Sequence, residues 1–209
     1  MTSNRLLPPP ARLSVPCLLL AASLVAPVLA QLGASFSFPQ DPDYLLLEYD
    51  QTAPLLDQTA PAFLLRIYGD GRVRVHRDAS YTASGDFELR LSQDELHRIL
   101  DSLVAKNVAR ANVADLARAR RRAVERRMTE EGTLFAISDD TVTHLALQLE
   151  SFTPAPGARA IPRLRQRITW ANLQLDAERL PELTELGELA AAERELLALL
   201  DHPDLRRIE

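Results

Sequence analysis

The sequence predicts an α+β fold, with an antiparallel sheet of about six to seven strands and about three helices packed on one face. Short runs in which apolar and polar residues alternate are joined by turn residues, which is typical of antiparallel hairpins. Longer segments with apolar residues at helical spacing interrupt these runs, and they predict the helices.

Residues 1–30 are expected to be a signal peptide. Two arginines and no acids precede an apolar run over residues 15–25, and residues 26–30 (APVLA) end in small side chains. A retained membrane anchor is the alternative. However, two prolines interrupt the apolar stretch, which is shorter than the about 20 residues a spanning helix needs. We therefore expect a periplasmic or secreted protein, cleaved near Ala30, with no transmembrane segment in the mature form.

Composition limits the classes of partner. Cleavage would remove two arginines from a chain of net charge −5, which leaves −7 on the mature form. An acidic chain is a poor candidate for nucleic acid binding. The single cysteine, Cys17, lies in the leader, so the mature form has no thiol for a disulfide or a metal. We expect no cofactor and leave the oligomeric state open.

The mature chain divides into three parts: a flexible N-terminus over 31–43, a single α+β domain over 44–203 and a tail over 204–209. A first strand over 44–49 leads into a seven-residue duplication, DQTAPLL followed by DQTAPAF. Its prolines exclude a regular helix and predict a surface loop. A binding loop is the alternative reading, since loops often carry binding residues. Its candidate binding residues are Asp50, Gln51, Thr52, Asp57, Gln58 and Thr59.

Alternating runs on both sides of a Gly-Asp-Gly turn at 69–71 predict a hairpin, in which Asp70 has a turn role. Another strand over 86–91 runs directly into a helix. Ser92 and Glu95 have the spacing of a capping box, and the helical pattern continues to about Asn107.

A second helix is expected from Asn112 to about Met128, with one face rich in arginine. A basic helix face can meet an anionic surface or an acidic partner, and a solvated face is the simpler alternative. The candidate binding residues on this face are Arg120, Arg121 and Arg122.

The C-terminal part predicts a hairpin over 132–149, a loop over 151–162 and a strand over 167–175 that carries the only tryptophan, Trp170. Pro181 is suited to the first position of a final helix, which ends near His202.

Motifs for phosphate binding, for a serine nucleophile and for zinc peptidases are absent. His76 and His144 fall on polar sides of strands, and they could share a site only if those strands are neighbours. A metal-assisted hydrolase that uses Asp70, His76, Asp139 or Asp140 therefore remains an alternative, but no catalytic or metal-binding residue is assigned.

Several segments resemble a group of uncharacterised exported bacterial proteins: LEYDQT over 47–52, LRIYGDGRV over 65–73, LS with the helix after it, and WANL over 170–173. The strand–loop–strand–DG–strand–helix order is more remotely similar to emfourin, a small proteinaceous inhibitor of thermolysin-type metallopeptidases. That resemblance implies a peptidase-inhibiting role. Emfourin has a Gly-rich loop after its first strand, where this chain has the duplication without glycine. No site residue is carried over.

Together these features predict a noncatalytic periplasmic or secreted protein-binding module, with another exported protein as its partner. The alternatives are a metal-assisted hydrolase and a peripheral envelope protein that docks through its arginine-rich helix.

Overall fold

The computed structural model describes residues 33–52, 64–78, 83–132 and 141–208. Within these ranges it has eight strands and four α-helices, so the predicted α+β class is confirmed. The strands are β1 (Ser35–Ser37), β2 (Leu45–Thr52), β3 (Leu65–Tyr68), β4 (Arg72–Arg77), β5 (Gly85–Arg90), β6 (Val142–Thr153), β7 (Ile161–Ala171) and β8 (Arg206–Arg207). The helices are α1 (Gln93–Ala105), α2 (Val113–Glu131), α3 (Leu173–Arg179) and α4 (Thr184–Ala198), with 3-10 turns at Val108–Arg110 and Leu199–Asp201.

Every strand pairing in the described part of the chain is antiparallel. The order is β1-β6-β2-β3-β4-β5-β8, and β7 pairs with the other edge of β6. β6 is twelve residues long and organises this end of the sheet. One of its edges pairs with β2 near its start and with β1 at its end, while β7 follows the opposite edge along nearly its whole length.

The strands have an inward side that meets the helices and an outward side that does not. Inward leucines such as Leu47, Leu145 and Leu147 form one core with buried leucines of α1 and α4. The strand side chains that hydrogen-bond to helix side chains in the described ranges are also inward ones, as with Tyr49 and Trp170. On β2 to β5, outward charged residues bond to each other instead, as Arg66 does with Glu48 and His76 with Asp86. The sheet therefore has a helix-covered face and an open face.

The capping box at the start of α1 is confirmed. The Ser92 hydroxyl accepts from the Glu95 backbone N–H at 3.2 Å, and the Glu95 carboxylate accepts from the Ser92 N–H at 2.8 Å. The pKa of the Glu95 carboxyl is lowered from its usual value, chiefly because the Ser92 hydroxyl donates to this carboxylate at 2.7 Å and also because the Ser92 N–H does. The local sequence specifies this helix start, since both partners lie within three residues.

Near both ends of the described ranges, short strands outside the predicted domain bounds of 44 and 203 pair with the sheet. Ser35–Ser37, expected in a flexible N-terminus, pairs with β6, and the Ser37 and Ser151 hydroxyls lie 2.8 Å apart. Arg206–Arg207, expected in a tail, pairs with β5. These strands have two or three residues, so their pairing depends on the sheet edge they meet and not on a local pattern.

The C-terminal elements also differ from the prediction. The strand expected over 167–175 begins at Ile161 and ends at Ala171, and the loop before it is correspondingly shorter than 151–162. Asn172 then takes a left-handed conformation (φ 56°) that turns the chain into α3, a helix the sequence did not predict. The final helix begins at Thr184, after a turn at Pro181. Residues 133–140 of the predicted hairpin lie outside the described residues.

Candidate functional site

A concave strip follows β6 on the open face of the sheet. One cavity of about 320 Å³ lies beside His144 and Ala146, and another of about 250 Å³ lies beside Gln148 and Glu150. Because these four residues alternate along β6, they share one face of the strand. We call this strip, with its two cavities, the β6 groove.

A small side chain between two long ones accounts for the depression. Ala146 lies directly opposite Glu48 on β2 and Arg167 on β7. Directly opposed residues in antiparallel strands have Cβ atoms about 5 Å apart, so the longer neighbours rise on both sides of the alanine. The register thus places a shallow cavity between an acidic strand and a basic one.

The two walls of the β6 groove carry opposite charges, and they differ in whether those charges form ion pairs with described residues. On the β2 wall, Glu48 accepts a hydrogen bond from the Arg66 guanidinium at 2.6 Å, so its charge is already paired. On the β7 wall, Arg163, Arg165 and Arg167 are exposed, and none forms an ion pair with a described residue within 4 Å. We call these three residues the β7 arginines. Their charges are available to a ligand.

One end of the β6 groove combines a histidine with hydroxyl groups and a carboxylate. The two ring nitrogens of His144 lie 3.3 Å from the Thr52 and Thr169 hydroxyl oxygens, and Asp50 is directly opposite His144. Burial raises the pKa of the Asp50 carboxyl above its ordinary value, although the Gln51 N–H and His144 oppose that rise. The ring therefore contacts hydroxyl groups on both sides, an arrangement that holds it in place.

The first candidate loop residues are divided between the two faces. Asp50 lines the β6 groove and Thr52 bonds to its histidine, so both belong to the open face. Gln51 points to the other face, where its side-chain amide donates to Glu193 at 3.1 Å. Gln51 is therefore not part of the same surface. Asp57, Gln58 and Thr59 lie outside the described residues.

Gln51 takes part in a buried network around the Glu193 carboxylate, which is 1% exposed. The Oε1 atom of Glu193 also accepts from the Tyr49 hydroxyl at 3.0 Å and from the Thr143 hydroxyl. Its Oε2 atom accepts from the Gln174 side-chain amide at 2.6 Å. Four neutral donors thus join α4 to β2, β6 and α3, which gives this buried acid a structural role.

The three candidate arginines on α2 do not act alike. The Arg120 guanidinium donates to the Asp176 carboxylate at 2.5 Å, and the Trp170 indole donates to the same oxygen at 2.8 Å. Asp176 is 1% exposed, so Arg120 serves a buried structural pair. Arg121 and Arg122 are exposed and form no ion pair with a described residue.

The hydrolase candidates that the structure describes, Asp70 and His76, do not converge with His144. His76 on β4 pairs with Asp86 at 2.7 Å, and Asp70 accepts from the Arg72 N–H in the predicted turn. β3 and β2 separate β4 from β6, so His76 and His144 are three strand spacings apart, about 14 Å. Among the residues that the structure describes, no group of His, Cys, Asp and Glu could hold a metal ion. Asp139 and Asp140 are not among them.

The sequence pattern did not single out the β7 arginines, because the strand was expected to begin at residue 167 and it begins six residues earlier, at Ile161. The segment RLRQR over 163–167 has arginine at every second position, which is the signal for one charged strand face. The sequence could not show which β6 residues lie opposite this segment, because that depends on the β6–β7 register.

Comparison of the chain with protein-family models, with curated proteins and with solved structures gives no match. Of the helices in the described ranges, none has the length and apolarity that crossing a bilayer requires.

Proposed function

We propose that this chain is an exported, noncatalytic protein-binding module that binds another exported protein through the β6 groove and the β7 arginines. The observation that carries the proposal is the row of three exposed arginines that form no ion pair with a described residue, beside a groove whose other wall is acidic.

The charge distribution favours binding at this surface. The mature form would carry a net charge of −7, which repels acidic partners at long range. The β7 arginines are a local exception, and fixed charges of one sign steer a complementary partner to one orientation. Because Arg165 and Arg167 lie where β7 pairs with β6, little backbone rearrangement is needed there on binding.

Export supports the same proposal from the sequence. The leader-like residues 1–30 and the absence of cysteine after Cys17 suit a chain that works in an oxidising compartment. Inhibition of a thermolysin-type metallopeptidase, which the resemblance to emfourin implies, would be one form of this function. It is tested by adding residues 31–209 to an assay of such a peptidase.

The test of the proposed function compares two charge reversals of the mature form. One variant carries Arg165→Glu and Arg167→Glu on β7, and the matched control carries Arg121→Glu and Arg122→Glu on α2. Each protein is used to capture partners from the envelope fraction, and the captured proteins are quantified. We expect a protein that the wild type and the α2 control both retain and that the β7 variant loses. Equal capture by all three would refute the proposal.

One observation favours a second function, docking on a membrane surface through α2. Arg121 and Arg122 are exposed and form no ion pair with a described residue. They could hold the protein on an anionic membrane surface. Sedimentation with anionic vesicles that depends on low salt and is lost in the α2 variant would favour this function. Sedimentation unaffected by that variant would exclude it.

A further inference from the structure

We propose that the partner contributes an extended acidic segment, which adds antiparallel to the free edge of β7 as a further strand, with an acidic residue at every second position. This inference rests on the proposed function, because it specifies which part of a protein partner meets the β7 arginines.

The backbone of β7 has a free edge. The Asn172 N–H donates to the Thr141 carbonyl at 2.7 Å, which fixes the hydrogen-bonded pairs along β6 and β7. Since these pairs alternate, the even-numbered β7 residues bond to β6 and the odd-numbered ones point their N–H and C=O groups away. No described residue bonds to the outward groups of Arg165, Arg167 and Thr169.

The same residues carry their side chains on the open face. An added antiparallel strand would place the residues opposite Arg165 and Arg167 on that face, with Cβ atoms about 5 Å away. Alternate residues of a strand are about 6.7 Å apart, so acids at every second position would meet successive arginines. Arg163 has a left-handed backbone (φ 50°), which ends the regular edge there.

This geometry selects one occupant over its competitors. A second copy of β7 would place arginine opposite arginine, which is repulsive, so the edge disfavours self-pairing. On a helix, residues of one face recur every three to four positions, which does not match arginines at every second strand position. An extended acidic peptide satisfies both the free backbone groups and the charges.

The test uses fluorescent nonapeptides that alternate glutamate with valine or threonine, and anisotropy measures their binding to residues 31–209. One peptide is N-methylated at two glutamate amides, which would face β7, and its matched control is N-methylated at two valine amides, which would point away. We expect methylation at glutamate to weaken binding about tenfold or more relative to the control, because two backbone hydrogen bonds are lost. Equal binding of the two would overturn strand addition.

Two further measurements test the inference by changing or observing the protein instead of the peptide. Thr169→Pro removes one outward N–H and no charge, and its difference from Thr169→Ala isolates that N–H from the hydroxyl. We expect the proline variant to bind several-fold more weakly than the alanine variant. In the wild type, bound peptide should slow hydrogen exchange at Arg165, Arg167 and Thr169. Unchanged exchange there would contradict the inference even if Thr169→Pro failed to fold.

The two proposals fail in different ways. If envelope capture depends on Arg165 and Arg167 but the two methylated peptides bind equally, only strand addition is wrong. If reversal of these arginines leaves capture unchanged, the proposed function itself is wrong.

Discussion

The two faces of the sheet differ in how their charged groups are buried and paired. On the helix-covered face, Glu193 and Asp176 are almost completely buried and accept hydrogen bonds from several elements. On the open face, the β2 to β5 half pairs its charges across strands, as Arg66 does with Glu48 at 2.6 Å and His76 with Asp86 at 2.7 Å. The β7 arginines have no such partner among the described residues. The buried carboxylates join helices to the sheet, and the arginine row is the part of the open face to which we assign binding in our proposal.

The largest expected effect is a loss of stability on replacing Glu193, on the helix-covered face. Glu193→Leu would remove the carboxylate that accepts from the buried Tyr49 and Thr143 hydroxyls and from the half-buried Gln174 amide, and we expect a loss of about 3 kcal/mol or more in the free energy of unfolding. Glu185→Leu, on the exposed side of the same helix, is the control and should change it by less than about 0.5 kcal/mol. Urea denaturation measures both, and equal stability of the two variants would show that the buried carboxylate has no structural role.

A smaller difference in the free energy of unfolding is expected between variants of two neighbouring arginines of α2. Arg120→Ala removes the cation beside the buried Asp176 carboxylate, and we expect a loss of about 2 kcal/mol. Arg121→Ala should stay within about 0.5 kcal/mol of the wild type. The fluorescence of Trp170, which donates to the same carboxylate, should change only in the Arg120 variant. A change of similar size in both would remove the distinction between them.

The smallest effect concerns Asp50 in the β6 groove, whose pKa burial raises in the folded state. The folded protein then binds the Asp50 proton more tightly than the unfolded chain, so this group's contribution to stability falls as pH rises from the unfolded value toward and through the folded one. We expect Asp50→Asn to be more stable than the wild type at pH 7, by about 0.5 kcal/mol or less because solvent screens the open groove.

That advantage should disappear below the ordinary pKa of the carboxyl, where Asp50 is protonated in both states. Thermal unfolding of wild type and variant across pH 3 to 7, a range chosen around the usual carboxyl pKa of about 4, measures the difference. A variant less stable than the wild type at pH 7 would mean that Asp50 stabilises the fold as an anion.

Local features of the fold could be predicted from the sequence, and features set by register could not. The capping box of Ser92 and Glu95 and the turn at Asp70 each depend on residues within three positions of each other. α3 was missed because a single left-handed residue, Asn172, ends β7 and redirects the chain. The strand pattern itself separates Gln51 from Asp50 and Thr52, since neighbours on a strand face opposite sides.

The candidate site was only partly predictable for the same reason. Asp50 and Thr52 were found through the duplicated loop sequence, and both lie on the open face. Their neighbours across β6 come from β7, more than a hundred residues later, so no local pattern joins them. Arg120 was grouped with Arg121 by composition, although the partner that separates them is on α3.

A charge-swap experiment tests most directly whether the β7 arginines are the binding determinant. The Arg165→Glu, Arg167→Glu variant is titrated with the alternating glutamate peptide and with the same peptide carrying lysine in place of glutamate. We expect the variant to lose the glutamate peptide and to gain the lysine peptide, while the Arg121→Glu, Arg122→Glu control keeps the wild-type preference. If the β7 variant still prefers glutamate, or if the α2 control switches instead, the β7 arginines are not the surface that recognises the partner.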